Sequence, residues 1–526
     1  MRIVVYSRNA WLMHDEAALA LNVFRRGFVE LLAPLDYLQT APPLFLWLER
    51  AAALTLGANE WSLRLFPLLA GLATAPLTWR VGRRLLPESA ATLAVGLVAL
   101  SPALVQYAAL VKPYALDALV TLLILDRVIA TVEHNAGASQ WAALAATGLL
   151  ALVASTPAVF VLGGAIAFVL ATALIERDRT LAWRGMLLAM GWGAAFVALV
   201  ATVFRPAVAD DTSTGKFMHW YWAANFLTSE PPGITTKFLA LLWGALPHTF
   251  FGEAVIPNAT TLFLAAIVVG VVVLVASRRV PVALLLTVPG TALIVASMLR
   301  RYPIAERLVL FAAPLSALLV ATSQLGFRYV RSQRAEEWLT ATATVAILAL
   351  AAQGSVTQVE LISSGHGSRV LVREAAAEHA RGAPLWVSGR GESVWRFYTR
   401  PDAPPSQPRD ASLAGLFGGH ELEPDLVIGS WYSILPERIL PVRDDTLPAQ
   451  SSEWSATEAQ RIRALTRPCA LVFLSNMQPG EATALLTSTA ALGGRLTRSF
   501  RSSDAELHEV CFENHLQQGG RQVPSG

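Results

Sequence analysis

Charged side chains are scarce in this chain of 526 residues. They make up 15% of the sequence and hydrophobic residues 54%, with a mean hydropathy of +0.48. A soluble domain carries about 25% charged residues, so this composition indicates a membrane protein and excludes a disordered chain, a coiled coil and a disulfide-rich scaffold. The net charge is only +3, and the arginines are dispersed between apolar segments. The sequence therefore does not predict nucleic-acid binding.

Several patterns typical of enzymes are also missing. The sequence has no Cys-x-x-Cys, no Gly-rich phosphate loop and no nucleophile elbow, which argues against redox dithiol, nucleotide-binding and serine hydrolase chemistry. No cofactor is predicted, and a divalent metal has no supporting ligand pattern, since His219 has no second ligand at a useful spacing. Cys469 and Cys511 leave two alternatives open, one disulfide in an oxidising compartment or two buried thiols.

About ten apolar segments are candidate membrane spans, because a bilayer core takes about 20 apolar residues in a helix. They are 65–84, 90–109, 113–132, 141–155, 157–175, 185–204, 260–276, 281–298, 307–325 and 338–354. Ser155-Thr156-Pro157 interrupts one long apolar run, so the fourth and fifth segments are two spans, one kinked helix or a re-entrant pair.

Arginine clusters set the orientation, since short cytoplasmic loops are enriched in Lys and Arg. With ten spans, the clusters all lie on one side: Arg80, Arg83 and Arg84; Arg177, Arg179 and Arg184; Arg278 and Arg279; and Arg328, Arg331 and Arg334. That side is the cytoplasm, and residues 1–60, 205–258 and the C-terminal part lie outside. Because residues 1–60 contain no segment that would carry them across, we expect a first transmembrane helix upstream of Met1; the alternative is a genuine external N-terminus.

The charge density rises near residue 355, where the membrane part ends and a soluble part begins. With the segment before the first candidate span counted separately, the sequence divides into residues 1–60, 61–355 and 356–526. The last part predicts an α/β domain, with helices over 369–381, 455–466 and 479–492 and strands over 384–388, 425–429, 470–474 and 505–513. The predicted fold is a mainly α polytopic membrane protein with a C-terminal α/β extracytoplasmic domain. That domain serves acceptor recognition or forms a packing lid, and the sequence leaves both roles open.

Two adjacent acidic residues, Asp15 and Glu16, open a helical stretch near the N-terminus. A carboxylate outside the membrane suits a general base or a cation site. Adjacent residues on a helix point about 100° apart, so we expect one of the two to be catalytic and the other structural. The alternative is that both only complement the helix dipole.

Three basic residues depart from the positive-inside pattern. Lys112, Arg301 and the neighbouring Arg307 lie at the predicted external face, where basic side chains are candidates for binding an anion. Snorkelling to lipid headgroups is the alternative for each of them. The external segment 205–258 is rich in aromatic residues, which suit an interface belt better than sugar stacking.

The order of these motifs resembles that of a known family. The matching positions are Asp15-Glu16-Ala17; Pro42-Pro43-Leu44-Phe45; Gly57, Glu60, Arg64 and Pro67; Lys112-Pro113-Tyr114-Ala115-Leu116-Asp117; and Arg301-Tyr302-Pro303 with Arg307, Leu310-Phe311 and Pro314. Over residues 11–325 the chain resembles the bacterial GT-C glycosyltransferases of family 39. These are relatives of the dolichyl-phosphate-mannose-protein mannosyltransferases and the aminoarabinose transferases. In that family one transmembrane helix precedes the Asp-Glu loop.

The resemblance implies an inverting glycosyltransferase of the bacterial inner membrane. It would move a sugar from a polyprenyl-phosphate donor to an envelope acceptor (lipid, glycan or protein) on the extracytoplasmic face. Asp15 would be the base, and Glu16 would orient the loop or bind the sugar. The donor phosphate would contact Arg301, Arg307 and Lys112. The substrate-binding candidates are Tyr37, Gln39, Tyr114, Asp117 and Tyr302.

Two points of this assignment stay open. Asp117 either contacts the donor or pairs with Lys112. Many relatives have a lysine just before the Pro-Pro motif, but here Gln39-Thr40-Ala41 precede Pro42. Two alternatives follow: the phosphate role lies with Arg301, Arg307 or Lys112, or the donor binds in a different pose.

Two other function classes compete with the glycosyltransferase. One is a polytopic transporter or lipid flippase with an external domain, and the other is a non-catalytic scaffold of envelope assembly. Transporters often contain internal repeats with symmetrically placed broken helices, and the sequence has no such repeat. The glycosyltransferase is therefore the favoured reading.

Overall fold

A computed structural model describes the chain over the ranges 1–133, 136–228, 233–252, 257–329, 332–363, 368–401, 420–430, 450–465, 468–475, 477, 480–502 and 505–512. The chain forms two compact units. The helical unit comprises Met1–Asn9, Gly27–Pro34 and Thr40–Ile362, and the α/β unit comprises Ala10–Arg26, Leu35–Gln39 and Ser363–Gly526. Asp15 therefore belongs to the same unit as the C-terminal sheet, although about 370 residues separate it from the first strand of that sheet.

Helices account for most of the described chain, so the predicted mainly α class is confirmed. In chain order they are α1 (Arg2–Arg8), α2 (His14–Arg25), α3 (Pro43–Leu56), α4 (Glu60–Leu63), α5 (Leu65–Leu85), α6 (Glu88–Ala99), α7 (Pro102–Tyr107), α8 (Tyr114–Glu133), α9 (Ala138–Ala154), α10 (Ala158–Glu176), α11 (Arg179–Leu199), α12 (Arg205–Val208), α13 (Ser213–Tyr221), α14 (Ile234–Phe251), α15 (Pro257–Ala276), α16 (Val280–Met298), α17 (Ala313–Ser323), α18 (Gln333–Ser363), α19 (Ser368–Ala380), α20 (Glu392–Thr399), α21 (Gln450–Leu465) and α22 (Glu481–Ala491). Helices α2 and α19 to α22 lie in the α/β unit.

Each of the ten predicted spans falls on helical segments of the helical unit. Five segments of the described chain are long and apolar enough to cross a membrane, namely Ala158–Glu176, Arg179–Val208, Val280–Met298, Glu306–Arg328 and Gln333–Glu360. Three shorter helices are also apolar, Glu88–Ala99, Ala138–Ala154 and Thr260–Ala276. A multi-pass helical membrane protein is thus confirmed, whereas the number of ten spans and the sidedness stay predictions.

The second predicted span, 90–109, is broken into α6 and α7. Pro102 cannot donate a backbone hydrogen bond inside a helix, and Ser101 caps the new helix, accepting from Leu104 N at 3.2 Å. The carbonyls freed at the break have partners: Arg2 Nη2 donates to Val98 O at 2.7 Å. Hydropathy predicts one continuous span over 90–109, because apolar residues lie on both sides of Pro102. The structure has two helices there.

Two kinds of contact join helices of this unit: a close approach at a glycine and a partly buried ion pair. A Cβ on Gly164 of α10 would lie 2.8 Å from the Leu285 carbonyl of α16, so only glycine permits this approach. At the predicted cytoplasmic end, Arg80 Nε contacts the buried Asp126 at 2.8 Å. Helices α5 and α8 are thereby tied together by an ion pair as well as by apolar packing.

Within its described ranges, the α/β unit contains a six-stranded mixed sheet with the order β2-β3-β1-β4-β6-β5. Its strands are β1 (Leu385–Val387), β2 (His420–Glu423), β3 (Leu426–Ile428), β4 (Cys469–Ser475), β5 (Gly494–Arg501) and β6 (Ala505–Phe512). Strand β1 is parallel to β3 and β4, and β6 is antiparallel to β4 and β5. The predicted C-terminal α/β domain is thus confirmed.

Strands β1, β4 and β6 contribute to the core of this sheet, and β4 and β6 are joined by a disulfide. Trp386, Val472 and Val510 are fully buried in one cluster. Cys469 and Cys511 are register partners on β4 and β6 and form a disulfide. Of the two alternatives for the cysteines, the structure therefore has the disulfide.

Candidate functional site

Asp15 and Glu16 lie in the first turn of α2, where their environments differ. Met13, the residue before the helix, is extended, and its backbone N donates to Glu16 Oε2 at 3.1 Å. Glu16 is buried and Asp15 is half-buried. This arrangement is a helix cap, and it favours an orienting role for Glu16 over direct sugar binding.

The segment Leu35–Gln39 folds onto the C-terminal half of α2. Asp36 N donates to Asn22 Oδ1 at 2.8 Å, and Asn22 Nδ2 donates back to Asp36 O at 3.1 Å. The Asp36 carboxylate also pairs with the buried Arg26 at 2.9 Å. Tyr37 and Leu38 then adopt left-handed backbone angles, with φ of 59° and 55°. Such angles are uncommon for residues other than glycine and cluster at functional segments.

Tyr37 and Gln39, two predicted substrate-binding residues, lie within this turn. Arg25 Nη2 donates to the Tyr37 hydroxyl at 3.2 Å, and Gln39 Nε2 donates to Tyr37 O at 3.2 Å. Burial raises the pKa of the Tyr37 phenol and the nearby Glu392 adds to the rise, while Arg396 and Arg25 oppose it. Asp15, Glu16, Tyr37 and Gln39 thus all belong to the α/β unit, the first two at the start of α2 and the other two beside its end.

The helical unit brings together the other three substrate-binding candidates, Tyr114, Asp117 and Tyr302. Burial raises the pKa of the Tyr302 phenol, and the adjacent Asp117 and Tyr114 raise it further. The Tyr302 hydroxyl donates to Leu308 O at 3.1 Å, and its ring packs edge-on against Phe160 at 5.4 Å. Residues from α8, α10 and the loop after α16 therefore converge on one cluster.

Asp117 is buried beside Ser155, which connects α9 and α10. Among the residues that the structure describes, Asp117 forms no ion pair, and its Oδ1 has no hydrogen-bond partner. The alternative in which Asp117 pairs with Lys112 is therefore not the arrangement found here. Lys112 is half-buried in the tight turn that precedes α8, where its backbone N donates to Leu110 O at 2.8 Å.

The two predicted phosphate-binding arginines have different neighbours. Arg307 is half-buried, with its guanidinium carbon 5.0 Å from the centroid of the Trp222 ring. Arg301 is exposed and lies 3.7 Å from the Asp210 carboxylate. His219 Nε2 contacts the same Asp210 oxygen at 2.9 Å. Two described residues of the segment 205–258 therefore contact the arginines: Trp222 contacts Arg307, and Asp210 contacts Arg301.

Several of these neighbours carry no signal in the sequence. Asp210 and Phe160 belong to no motif, and each meets its partner only through tertiary packing. Ser155 marks the break between the fourth and fifth apolar segments, but nothing in the sequence places it beside Asp117. A cation–ring pair such as Arg307 with Trp222 also has no fixed sequence spacing. Over the described ranges, no group of three His, Cys, Asp or Glu side chains is arranged to hold a metal ion.

Comparisons with known proteins found one matching family model and solved structures with a similar fold. The family model for dolichyl-phosphate-mannose-protein mannosyltransferases matches residues 40–204. A search of curated proteins gave no match. The fold is similar to that of ArnT from Cupriavidus metallidurans bound to undecaprenyl phosphate, with a TM-score of 0.53 at 14% identity over 96% of each chain. The apo form of the same protein gives a TM-score of 0.52, with the same identity and coverage.

The matched residues 40–204 make up about a third of the chain, and within that range the match supports a relation to the dolichyl-phosphate-mannose-protein mannosyltransferases. The match falls within residues 11–325, the range over which the sequence resembles this family. The likeness to ArnT is a likeness of fold, and the sugar, the acceptor and the roles of individual residues belong to the proposal below.

Proposed function

We propose that the protein transfers a sugar from a polyprenyl-phosphate donor to an envelope acceptor on the extracytoplasmic face of the bacterial inner membrane. The observation that carries the proposal is the mannosyltransferase family match over residues 40–204 on a fold shared with ArnT. That ArnT was solved with undecaprenyl phosphate bound, which supports a lipid phosphate as the leaving group here.

The proposed reaction is a single displacement with inversion at the anomeric carbon. Asp15 takes the proton of the acceptor hydroxyl, whose oxygen then bonds to the anomeric carbon. The bond between that carbon and the phosphate oxygen breaks, and its electron pair leaves with the polyprenyl phosphate. The half-buried position of Asp15 in the first turn of α2 supports this role.

Arg301, Arg307 and Lys112 are proposed to stabilise the charge on the leaving phosphate. Guanidinium groups suit this task because they form bidentate contacts with phosphate, and fixed cations stabilise charge as it develops. The Trp222 ring supports this role for Arg307, since it restrains the guanidinium plane. Tyr114, Asp117 and Tyr302 form one cluster and are proposed to bind the donor sugar, and Tyr37 and Gln39 are proposed to line the substrate path.

The extracytoplasmic placement of the site is supported by the disulfide. Disulfides persist in oxidising compartments and are rare in the cytosol. Cys469–Cys511 lies in the α/β unit, to which Asp15 also belongs. A unit that carries a disulfide and the proposed base is therefore best assigned to the outer face of the membrane.

The test uses membranes that contain the full-length protein and a panel of labelled undecaprenyl-phosphate hexoses and pentoses with native envelope acceptors. Release of free undecaprenyl phosphate is followed for wild type, Asp15→Asn and the control Glu421→Gln, an exposed carboxylate on β2. We expect release from one donor in wild type and Glu421→Gln only. No release from any donor would overturn the proposal and favour a transporter, a flippase or a scaffold.

A further inference from the structure

Helix α20 in the α/β unit packs against α2, the helix that carries Asp15. Its start is fixed to the sheet by paired serines. Ser388 Oγ donates to Ser475 O at 3.1 Å and accepts from Ser475 N at 3.0 Å. A Cβ on Gly391 would lie only 2.9 Å from Ser388 Oγ. The carboxyl ends of the central strands β1 and β4 therefore hold the start of α20 and support whatever packs on this helix.

Ser393, in the first turn of α20, contacts the residue just before Asp15 twice. Its Oγ lies 2.9 Å from His14 Nδ1 and 3.0 Å from His14 O. A carbonyl only accepts, and a hydroxyl has a single proton. Ser393 therefore donates to His14 O and accepts from Nδ1–H. The pair fixes the backbone at His14 together with the tautomer of its ring.

The other end of α20 holds the chain that enters α2. The Tyr398 hydroxyl accepts from Leu12 N at 2.8 Å, and the Tyr398 ring stacks on Trp11 at 6.4 Å. Phe397 stacks on Phe24, nearly three turns further along α2, at 5.5 Å. The backbone is thus held at Leu12 and His14, immediately before Asp15.

We propose that Ser393 and Tyr398 are positioning residues that orient Asp15 for proton abstraction. The direction of a side chain in the first turn of a helix follows from the backbone there, and these two residues fix that backbone. The inference rests on the proposed function, since it acts through Asp15 as the base. Under this proposal α20 helps to position the base. This role is separate from the acceptor recognition or packing lid that the sequence leaves open for the C-terminal domain.

The first test measures hydrogen exchange of the α2 amides in the full-length protein in detergent. The variants are Ser393→Ala and Tyr398→Phe, each of which removes one hydroxyl. The matched control is Ser499→Ala, because Ser499 Oγ lies 2.8 Å from His508 Nδ1 in the same unit and is remote in sequence from α2. We expect faster exchange over α2 in the first two variants and wild-type exchange in the control.

The second test measures kcat and the donor KM with the undecaprenyl-phosphate sugar that wild type accepts. A misplacement of a catalytic group by about 1 Å costs on the order of 100-fold in rate. We expect kcat to fall about 10-fold to 100-fold in Ser393→Ala and Tyr398→Phe, with a donor KM within about twofold of wild type. Adding Ser393→Ala to Asp15→Asn should lower the residual rate little further, because the serine acts through Asp15.

The outcomes separate this inference from the proposed function. An inactive Asp15→Asn together with a kcat for Ser393→Ala and Tyr398→Phe equal to that of Ser499→Ala overturns the positioning role and leaves the base in place. Exchange of α2 that is unchanged in both hydroxyl variants overturns it as well. A fully active Asp15→Asn instead removes the base itself, and with it the proposed mechanism.

Discussion

The backbone N of Met13 donates a hydrogen bond to the Glu16 carboxylate at 3.1 Å, which ties the start of α2 to a buried acidic side chain. Asp15, its neighbour, is only half-buried. Two adjacent carboxylates therefore have different surroundings, as expected for residues about 100° apart on a helix. We infer that Glu16 shapes the helix terminus that presents Asp15.

Glu16→Ala should weaken this helix terminus, whereas Glu16→Gln keeps an acceptor for Met13 N. Loss of a helix cap costs roughly 1 kcal/mol, so we expect the alanine variant to unfold at a lower temperature and to lose about tenfold in kcat. Glu16→Gln should lie between Glu16→Ala and wild type in both measurements. A glutamine variant as inactive as Asp15→Asn would show that Glu16 takes part in the chemistry itself.

Trp222→Leu removes the ring against which the Arg307 guanidinium lies. A cation–ring contact at an exposed site contributes about 0.5–1 kcal/mol, so we expect the donor KM to rise roughly twofold to fivefold, with kcat little changed. Trp220→Leu is the control, since the Trp220 ring packs against Phe217 and Tyr221. Equal donor KM values for the two tryptophan variants would argue against a role for Arg307 in phosphate binding.

Asp210→Asn removes the carboxylate that lies beside Arg301 and His219. Both Arg301 and Asp210 are exposed, and exposed ion pairs add little to stability, so the melting temperature should not change. Arg301 would then attract an anionic donor more strongly, and we expect a lower donor KM at low salt that converges with wild type at high salt. The control is Asp211→Asn, the same change of charge one residue away. The same fall in KM in both variants would exclude a specific contact.

Apolar patterning predicts the helical part of this fold well. The runs at 157–175 and 281–298 coincide closely with α10 and α16, because burial in lipid requires long apolar helices. Strand β5 is missed because it is arginine-rich and exposed along its length, so it has no alternation of apolar and polar residues. Helix α20 is missed because it has only eight residues, from Glu392 to Thr399, whereas a helical periodicity is recognised over a window of about 11–18 residues.

The candidate site is only half predictable. The motifs identify Asp15, Asp117, Tyr302 and Arg307 as residue types that suit the chemistry. Their neighbours follow from contacts that no local pattern encodes. Ser393 and His14 lie 379 residues apart, and Asp210 and Arg301 come from separate loops. The composition of the sequence also does not predict that residues 10–26 and the C-terminal sheet belong to one compact unit.

Glu49 on α3 gives a prediction about pH. The side chain is fully buried, and neither carboxylate oxygen has a hydrogen-bond partner within the described ranges. Burial raises the pKa of Glu49 well above its usual value. The native state then keeps the proton at pH values where the unfolded chain has lost it, so stability declines as pH rises from about 4.3 towards the native pKa.

Glu49→Gln keeps the shape of the side chain and removes this titration. We expect the melting temperature of wild type to fall between pH 5 and pH 8 relative to that of Glu49→Gln. Glu88→Gln, which alters an exposed carboxylate, should follow wild type over the whole range. If the melting temperatures of wild type and Glu49→Gln changed in parallel with pH, Glu49 would be charged in the native state and paired with another group.

The most direct test of the account is the turnover of the accepted undecaprenyl-phosphate sugar by purified Asp15→Asn, with hydrogen exchange of α2 confirming that the helix is intact. A general base contributes about 10²-fold to 10⁴-fold to rate. The account predicts a loss of kcat in that range with a donor KM close to that of wild type. Wild-type turnover by Asp15→Asn would contradict it.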